Sequence, residues 1–196
     1  MKKQIGFSLV ELVIVIIVVG LLAVAALPRF LNVTDEAKKS SIQGVAGGFA
    51  TAALSARAQW EAYGRPTEGS GADRVQKVNY DGTDFYLTVA SSDGSVSDGY
   101  PVSLDNKKIT AMDNTDCVNL MQNLLQNPPL VTSNSSEAQT GKYLFYVNQV
   151  TSGNQRACRY YQLASANSQG DVVSNLTSGH SFIYKPAKGQ VEVVLN

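Results

Sequence analysis

The stretch FSLVELVIVIIVVG, Phe7 to Gly20, decides how the rest of the chain is read. It is apolar enough to sit in a bilayer, yet Glu11 places a carboxylate near its start. An Asp or Glu inside a bilayer costs roughly 2.5–3.5 kcal/mol on insertion scales, so such a charge calls for a partner. No charge follows between Leu12 and Leu27, and the run then meets Pro28-Arg29-Phe30. Phe7 to Leu27 is long enough to cross a bilayer as a helix of about 20 residues. Ahead of it stands a short basic leader, Met1-Lys2-Lys3-Gln4-Ile5-Gly6, whose lysines stay cytoplasmic by the positive-inside rule. An ordinary secretory signal has an apolar core of about 7–15 residues and a small-residue cleavage site beyond it. This run shows no clear site of that kind outside it. By its residues alone, the segment is an uncleaved signal anchor.

Composition narrows the remainder. The chain has 196 residues, room for one ordinary domain and an appendage. Its 16 Lys and Arg balance its 16 Asp and Glu, so no charge field points to nucleic acid or to an anionic partner. Beyond the apolar run Ser, Asn, Gly, Gln and Thr are abundant, as suits an exported body. Cys117 and Cys158 are the only cysteines, and an even pair in an exported chain favours one disulfide. A single histidine, His180, leaves almost no material for His-based metal sites or triads, and it reads as a satisfied or exposed loop residue. There is no nucleophile–base pair, phosphate loop or nucleic-acid motif. The expectation is a chain that is not an enzyme, with no catalytic residue, no metal and no cofactor.

Past Pro28 the pattern turns amphipathic. Ile42, Val45, Phe49, Ala52, Ala53, Ala56, Trp60 and Tyr63 recur at three- and four-residue steps, with Lys38, Lys39, Gln43, Arg57, Gln59 and Glu61 largely between them. Gly64-Arg65-Pro66 supplies a stop. A near-continuous helix from Phe7 to about Tyr63 is predicted, interrupted in propensity by Gly20 and Pro28, which cost about 1 and 3 kcal/mol in a helix interior. Gly44, Gly47 and Gly48 weaken it further and suggest close packing of this helix on a sheet. From about Thr67 onward β-type runs dominate. Val75–Tyr80 and Phe85–Val89 flank the turn Asp81-Gly82-Thr83-Asp84. Tyr143–Val147 pairs with Ala157–Leu163, and Ser181–Tyr184 with Val191–Leu195. Asp113 to Asp116 offers N-caps for a short helix through Gln126, with Cys117, Leu120, Met121, Leu124 and Leu125 as its buried stripe.

Gly6-Phe7-Ser8-Leu9-Val10-Glu11 resembles the type IV prepilin processing motif. The resemblance implies that an inner-membrane prepilin peptidase cuts after Gly6, removes residues 1–6 and methylates the new N-terminal Phe7. Phe7 and Glu11 fall where that family has its methylated aromatic and its glutamate, both used in assembly. Gly20 and Pro28 fall at its helix-loosening positions and imply a hinge. The family also implies the partner for Glu11: the Phe7 ammonium of a neighbouring subunit or of its own chain. Two charges taken out of water need each other, and deleting one typically costs about 3–5 kcal/mol. The stretch PRFLNVTDEAKKSSIQGVAGGFATAALSARAQW, Pro28 to Trp60, further resembles pilins of the mannose-sensitive haemagglutinin (MSHA) group.

The expected fold is α+β, a long N-terminal helix packed on an antiparallel sheet. Residues 7–28 would be the apolar helix, 29–63 the amphipathic helix and 64–196 the β-rich body. The expected function is that of a major structural subunit of an extracellular type IV pilus used for surface attachment. Its partners would be further copies of itself, the prepilin peptidase and assembly machinery, and the inner membrane before assembly, with no nucleic acid. A minor pilin or a type II secretion pseudopilin is an alternative; a monomeric membrane-anchored binding domain is one of a different class. Asp81–Asp84 and Asp93–Gly99 are acidic loops that match no calcium motif and read as polar turns. Asn32, Asn134 and Asn175 begin N-x-S/T sequons. Tyr143–Tyr146 and Tyr160–Tyr161 read as sheet core and cross-strand pairs.

Overall fold

In the computed structural model of the chain, residues 7–166 and 175–196 are described; the expected leader, residues 1–6 with Gly6, lies outside the described residues. Helix α1 runs from Leu9 to Ala62 and passes through both Gly20 and Pro28. The chain divides into two compact units, Met1–Lys38 and Lys39–Asn196.

In the first unit the large apolar side chains from Leu9 to Leu27 are all exposed, as are Phe30 and Val33. The helix is long and apolar enough to cross a membrane.

The second unit holds the rest of α1 and the body. Most of the predicted stripe is its buried face: Ile42, Phe49, Ala53, Ala56 and Trp60 are each at most 1% exposed and Ala52 is buried too, whereas Val45 is only half-buried and Ala46, outside the predicted stripe, joins the buried face. Tyr63 leaves the stripe and is 64% exposed. It lies past the last helical residue, where Gly64 and Arg65 take positive φ values of 80° and 57° and turn the chain. The glycines are not where α1 approaches the sheet. A Cβ at Gly44 or Gly47 would meet nothing within 4 Å, and one at Gly48 would touch only Leu125 at 3.7 Å. The alanines at 46, 52, 53 and 56 lie on the buried face instead, where their small side chains join the core.

Two sheets, rather than one, complete the α+β body. The first is four-stranded: β1 (Thr67–Glu68), β2 (Val75–Tyr80), β3 (Thr83–Leu87) and β4 (Pro101–Ser103), in that order and antiparallel. Asp81 and Gly82, both at positive φ, form the two-residue turn between β2 and β3, as Asp-Gly favours. Helix α2 (Asn114–Leu124) follows, then β5 (Val131–Thr132) and the single-turn α3 (Ser135–Ala138). The second sheet is five-stranded and adds β6 (Phe145–Ser152), β7 (Gln155–Gln162), β8 (Ser181–Lys185) and β9 (Gln190–Val194), with the short helix α4 (Leu163–Ala166) after β7. Its strands are antiparallel except β5, which runs parallel to β6. Parallel pairing requires a crossover rather than a hairpin, and α3 lies in that connection.

Both sheets, α1 and α2 share one core. Phe49 sits at its centre, with ring centroids 5.6, 5.8 and 5.0 Å from those of Tyr160, Phe182 and Tyr184. Val78, Phe85, Leu87 and Val102 contribute the four-stranded sheet. Tyr146 and Tyr161 pair across β6 and β7, ring centroids 6.4 Å apart.

Candidate assembly site

The head of α1 answers the problem of the lone carboxylate in a way specific to its sequence. Ser8 precedes the first helical residue, and its Oγ accepts the Glu11 N–H at 3.2 Å. Glu11 Oε2 in turn accepts the Ser8 N–H at 2.8 Å. These reciprocal bonds form a capping box, which satisfies two of the donors that a helix start leaves open. Glu11 therefore has a partner within its own chain before any second subunit is considered. The signal is legible: Ser-x-x-Glu ahead of an apolar run is this box's signature. Reading Glu11 only as a charge in search of a cation misses it.

Phe7 lies just ahead of the box and is 87% exposed. Gly20 and Pro28 are both inside the helix, and a Cβ at Gly20 would meet nothing within 4 Å. Phe7 and Glu11 are thus brought together at one helix end, whereas Gly20 and Pro28 are spread along α1.

The body is held to a single arrangement by a cystine. Cys117 on α2 and Cys158 on β7 form a disulfide, with Cα atoms 5.5 Å apart and no exposure of either residue. Tyr160 donates its hydroxyl to the Cys117 carbonyl at 2.7 Å beside it. Helix α2 begins in a second capping box. Asp113 accepts from the backbone of Thr115 and Asp116, and Asp116 accepts from the Asp113 N–H at 2.8 Å. Lys107 reaches both carboxylates, at 2.8 and 3.0 Å. Its ammonium holds the Asp113 carboxyl below the usual range, while burial pushes that of Asp116 up. Together, its hydrogen bonds to the two acids raise the pKa of the Lys107 ammonium above its ordinary value.

A second clasp closes the C-terminal end of α1. Arg57 stacks over the Tyr100 ring at 4.5 Å and donates to its hydroxyl, and Trp60 Nε1 donates to the Pro66 carbonyl at 3.0 Å. Gly99, at φ 89°, lies so close that a Cβ there would be 2.6 Å from the Trp60 ring. Gly189, at φ 62°, packs under Tyr100 in the same way. Local sequence gives little hint of this clasp, since Arg57 and Tyr100 are 43 positions apart and Gly189 lies further along the chain still.

The acidic loops are internally occupied. Asp93 accepts from Ser91 and from the Ser95 N–H, which holds its carboxyl down to about 2. Asp98 accepts from the Ala90 N–H and from Gln76. Among the described residues no cluster is arranged to hold a metal. Asn134 caps α3, and Asn175 accepts from Thr177, so both sequon side chains already serve turns. His180 is buried rather than exposed, and its Nδ1 accepts the Asn196 N–H at 3.1 Å.

An apolar N-terminal helix with a capped acid at its start, joined to a cystine-braced α+β body, defines a class: proteins with one exposed apolar helix fit to enter a membrane or to pack on another helix. Comparison with known proteins names the family. The pattern described as "Prokaryotic N-terminal methylation motif" matches residues 1–27. The chain is 34% identical over 118 residues to the "Type IV narrow pilus major component PilA5" of Thermus thermophilus, covering 60% of this chain and 97% of that protein. It is 29% identical over 126 residues to a "Fimbrial protein" of Pseudomonas aeruginosa, covering 55% of this chain and 82% of that one. No solved structure gives a significant match. The chain belongs to the type IV pilin family.

Proposed function

We propose that this pilin is the major structural subunit of an extracellular pilus that attaches the cell to surfaces, and that it is of the MSHA group. The observation that carries the structural-subunit reading is the apolar face of α1 from Leu9 to Leu27, exposed in the isolated chain and bearing one acid at its head. Such a surface needs cover, first from the inner membrane and then from identical helices in a filament. Cleavage after Gly6 frees the Phe7 amine, the peptidase then transfers a methyl group to it from a methyl donor, and Glu11 neutralises the resulting ammonium as subunits assemble. Only a subunit at the right axial offset places an amine against that carboxylate, so the pair sets register. Gly20 and Pro28 let the helix loosen as it packs. The abundant rather than minor role is supported by the Thermus relative, whose name makes it a major component and whose length this chain spans almost entirely. The MSHA assignment is supported by the Pro28–Trp60 stretch.

The test is intact-mass analysis of purified surface fibres, with Glu11→Ala as the comparison. Fibres made mainly of a chain that begins at methylated Phe7 are expected, and Glu11→Ala should leave a folded, membrane-inserted chain that assembles poorly. A minor constituent in those fibres would mean a minor pilin. Residues 1–6 retained on a chain that makes no fibre would mean a monomeric anchored domain. Abundant normal fibres from cells expressing only Glu11→Ala would refute the pairing.

A further inference from the structure

We propose that Ser8 is a positioning residue for assembly, holding the Glu11 carboxylate at the N-terminal rim of its helix; this rests on the reading of Glu11 as the partner of the Phe7 amine. A glutamate has three rotatable side-chain bonds and could lie along the apolar face of α1. The capping box removes that freedom. The Ser8 hydroxyl takes the Glu11 N–H at 3.2 Å and fixes the backbone at residue 8, whose own N–H then holds Glu11 Oε2 at 2.8 Å. The Ser8 nitrogen is three bonds from the Phe7 nitrogen, so a carboxylate held beside one is held close to the other. Each carboxylate oxygen accepts more than one bond, so the box leaves Glu11 able to take an ammonium as well. In the bilayer the same bonds satisfy part of the acid before assembly. A neighbouring amine then meets a charge already in place, rather than one that must be recruited from many rotamers.

The test expresses full-length variants in cells lacking the native chain. It reads assembled pilin as a ratio to the cleaved, cell-retained chain, so that altered processing does not enter the result. Ser8→Thr keeps the hydroxyl and should assemble like the wild type. Ser8→Ala should lower the ratio about fivefold, the consequence of losing one typical capping interaction per subunit. Ser8→Gly is the decisive arm. Glycine caps a helix nearly as well as serine, but it has no hydroxyl to take the Glu11 N–H and leaves the backbone at residue 8 freer, so it should lower the ratio about as far as Ser8→Ala. A wild-type ratio for Ser8→Gly would mean that only the helix start matters, and would overturn the positioning role. So would a wild-type ratio for Ser8→Ala, or a loss for Ser8→Thr equal to that for Ser8→Ala. Glu11→Ala separates the two ideas. If it alone loses fibres while Ser8→Ala and Ser8→Gly keep them, the positioning role fails and the amine pairing stands. If Glu11→Ala assembles normally, the pairing itself fails.

Discussion

Replacing Cys117 and Cys158 together with alanine removes the one covalent tie between α2 and the five-stranded sheet. The two residues are 41 positions apart in sequence, and neither has any exposed surface. In the chain-entropy account, closing a loop of that size in the unfolded chain stabilises the fold by about 4 kcal/mol. Domains of this kind have about 5–15 kcal/mol in total, so the loss consumes a large share. Helix α2 has 11 residues, too few to hold itself without tertiary support. The hydrogen bond from Tyr160 to the Cys117 carbonyl would then depend on packing alone.

The assay is urea unfolding of a fragment beginning at Thr34, which omits the exposed apolar helix and should be a soluble monomer. With a denaturant slope of about 2 kcal/mol per molar, the double variant should unfold at a urea concentration lower by about 2 M. In cells the same variant should reduce surface pilin through degradation of the body, while cleavage before Phe7 continues. A midpoint within about 0.5 M of the wild type would refute the reasoning. The body would then be held by packing so complete that constraining its unfolded state adds nothing.

Two further perturbations probe the body. Gly189→Ala should destabilise it by about 2–4 kcal/mol, because a Cβ there would stand 1.8 Å from the Tyr100 ring at a positive φ; thermal unfolding of the same fragment checks this, and an unchanged Tm would show that Tyr100 can move aside. Stability should also pass through a mildly acidic maximum set by the Lys107 cluster. Asp116, whose pKa is raised by burial, favours the fold as it gains a proton, so stability rises as pH falls through its folded pKa towards about 4. Asp113 has the opposite sign: its lowered pKa adds stability above about pH 4 that is lost as pH falls through the folded value. Asp113→Asn keeps the cap and should make that acid limb shallower in urea midpoints taken across pH, with Asp93 supplying part of what remains; an unchanged limb would remove Asp113 as a source.

Periodicity made the helix legible from Ile42 to Trp60, because a face that must be buried repeats at the helical period wherever it packs. Asp113 was legible as a cap, and Asp81-Gly82 as a turn, since each acts on residues beside it. What the sequence concealed depends on distant partners. Nothing local divides the strands into two sheets, and Val131-Thr132 is too short to show a period or to announce that it runs parallel to β6. The clasp of Trp60, Gly99, Tyr100 and Gly189 exists only once two loops meet the end of α1. Ser8 is the intermediate case, a local signal in plain view beside a more conspicuous one. Its capping box has the same logic as that of Asp113 and Asp116, in which a carboxylate is parked on a backbone N–H three residues earlier. In the body that arrangement starts a short helix. At the head of α1 it also satisfies part of an acid placed in an apolar segment. On the reading proposed here, a neighbouring amine completes the pairing that the box leaves open. It is selected by a charge the chain has already placed, so the energy of pairing is available to discriminate one register from another.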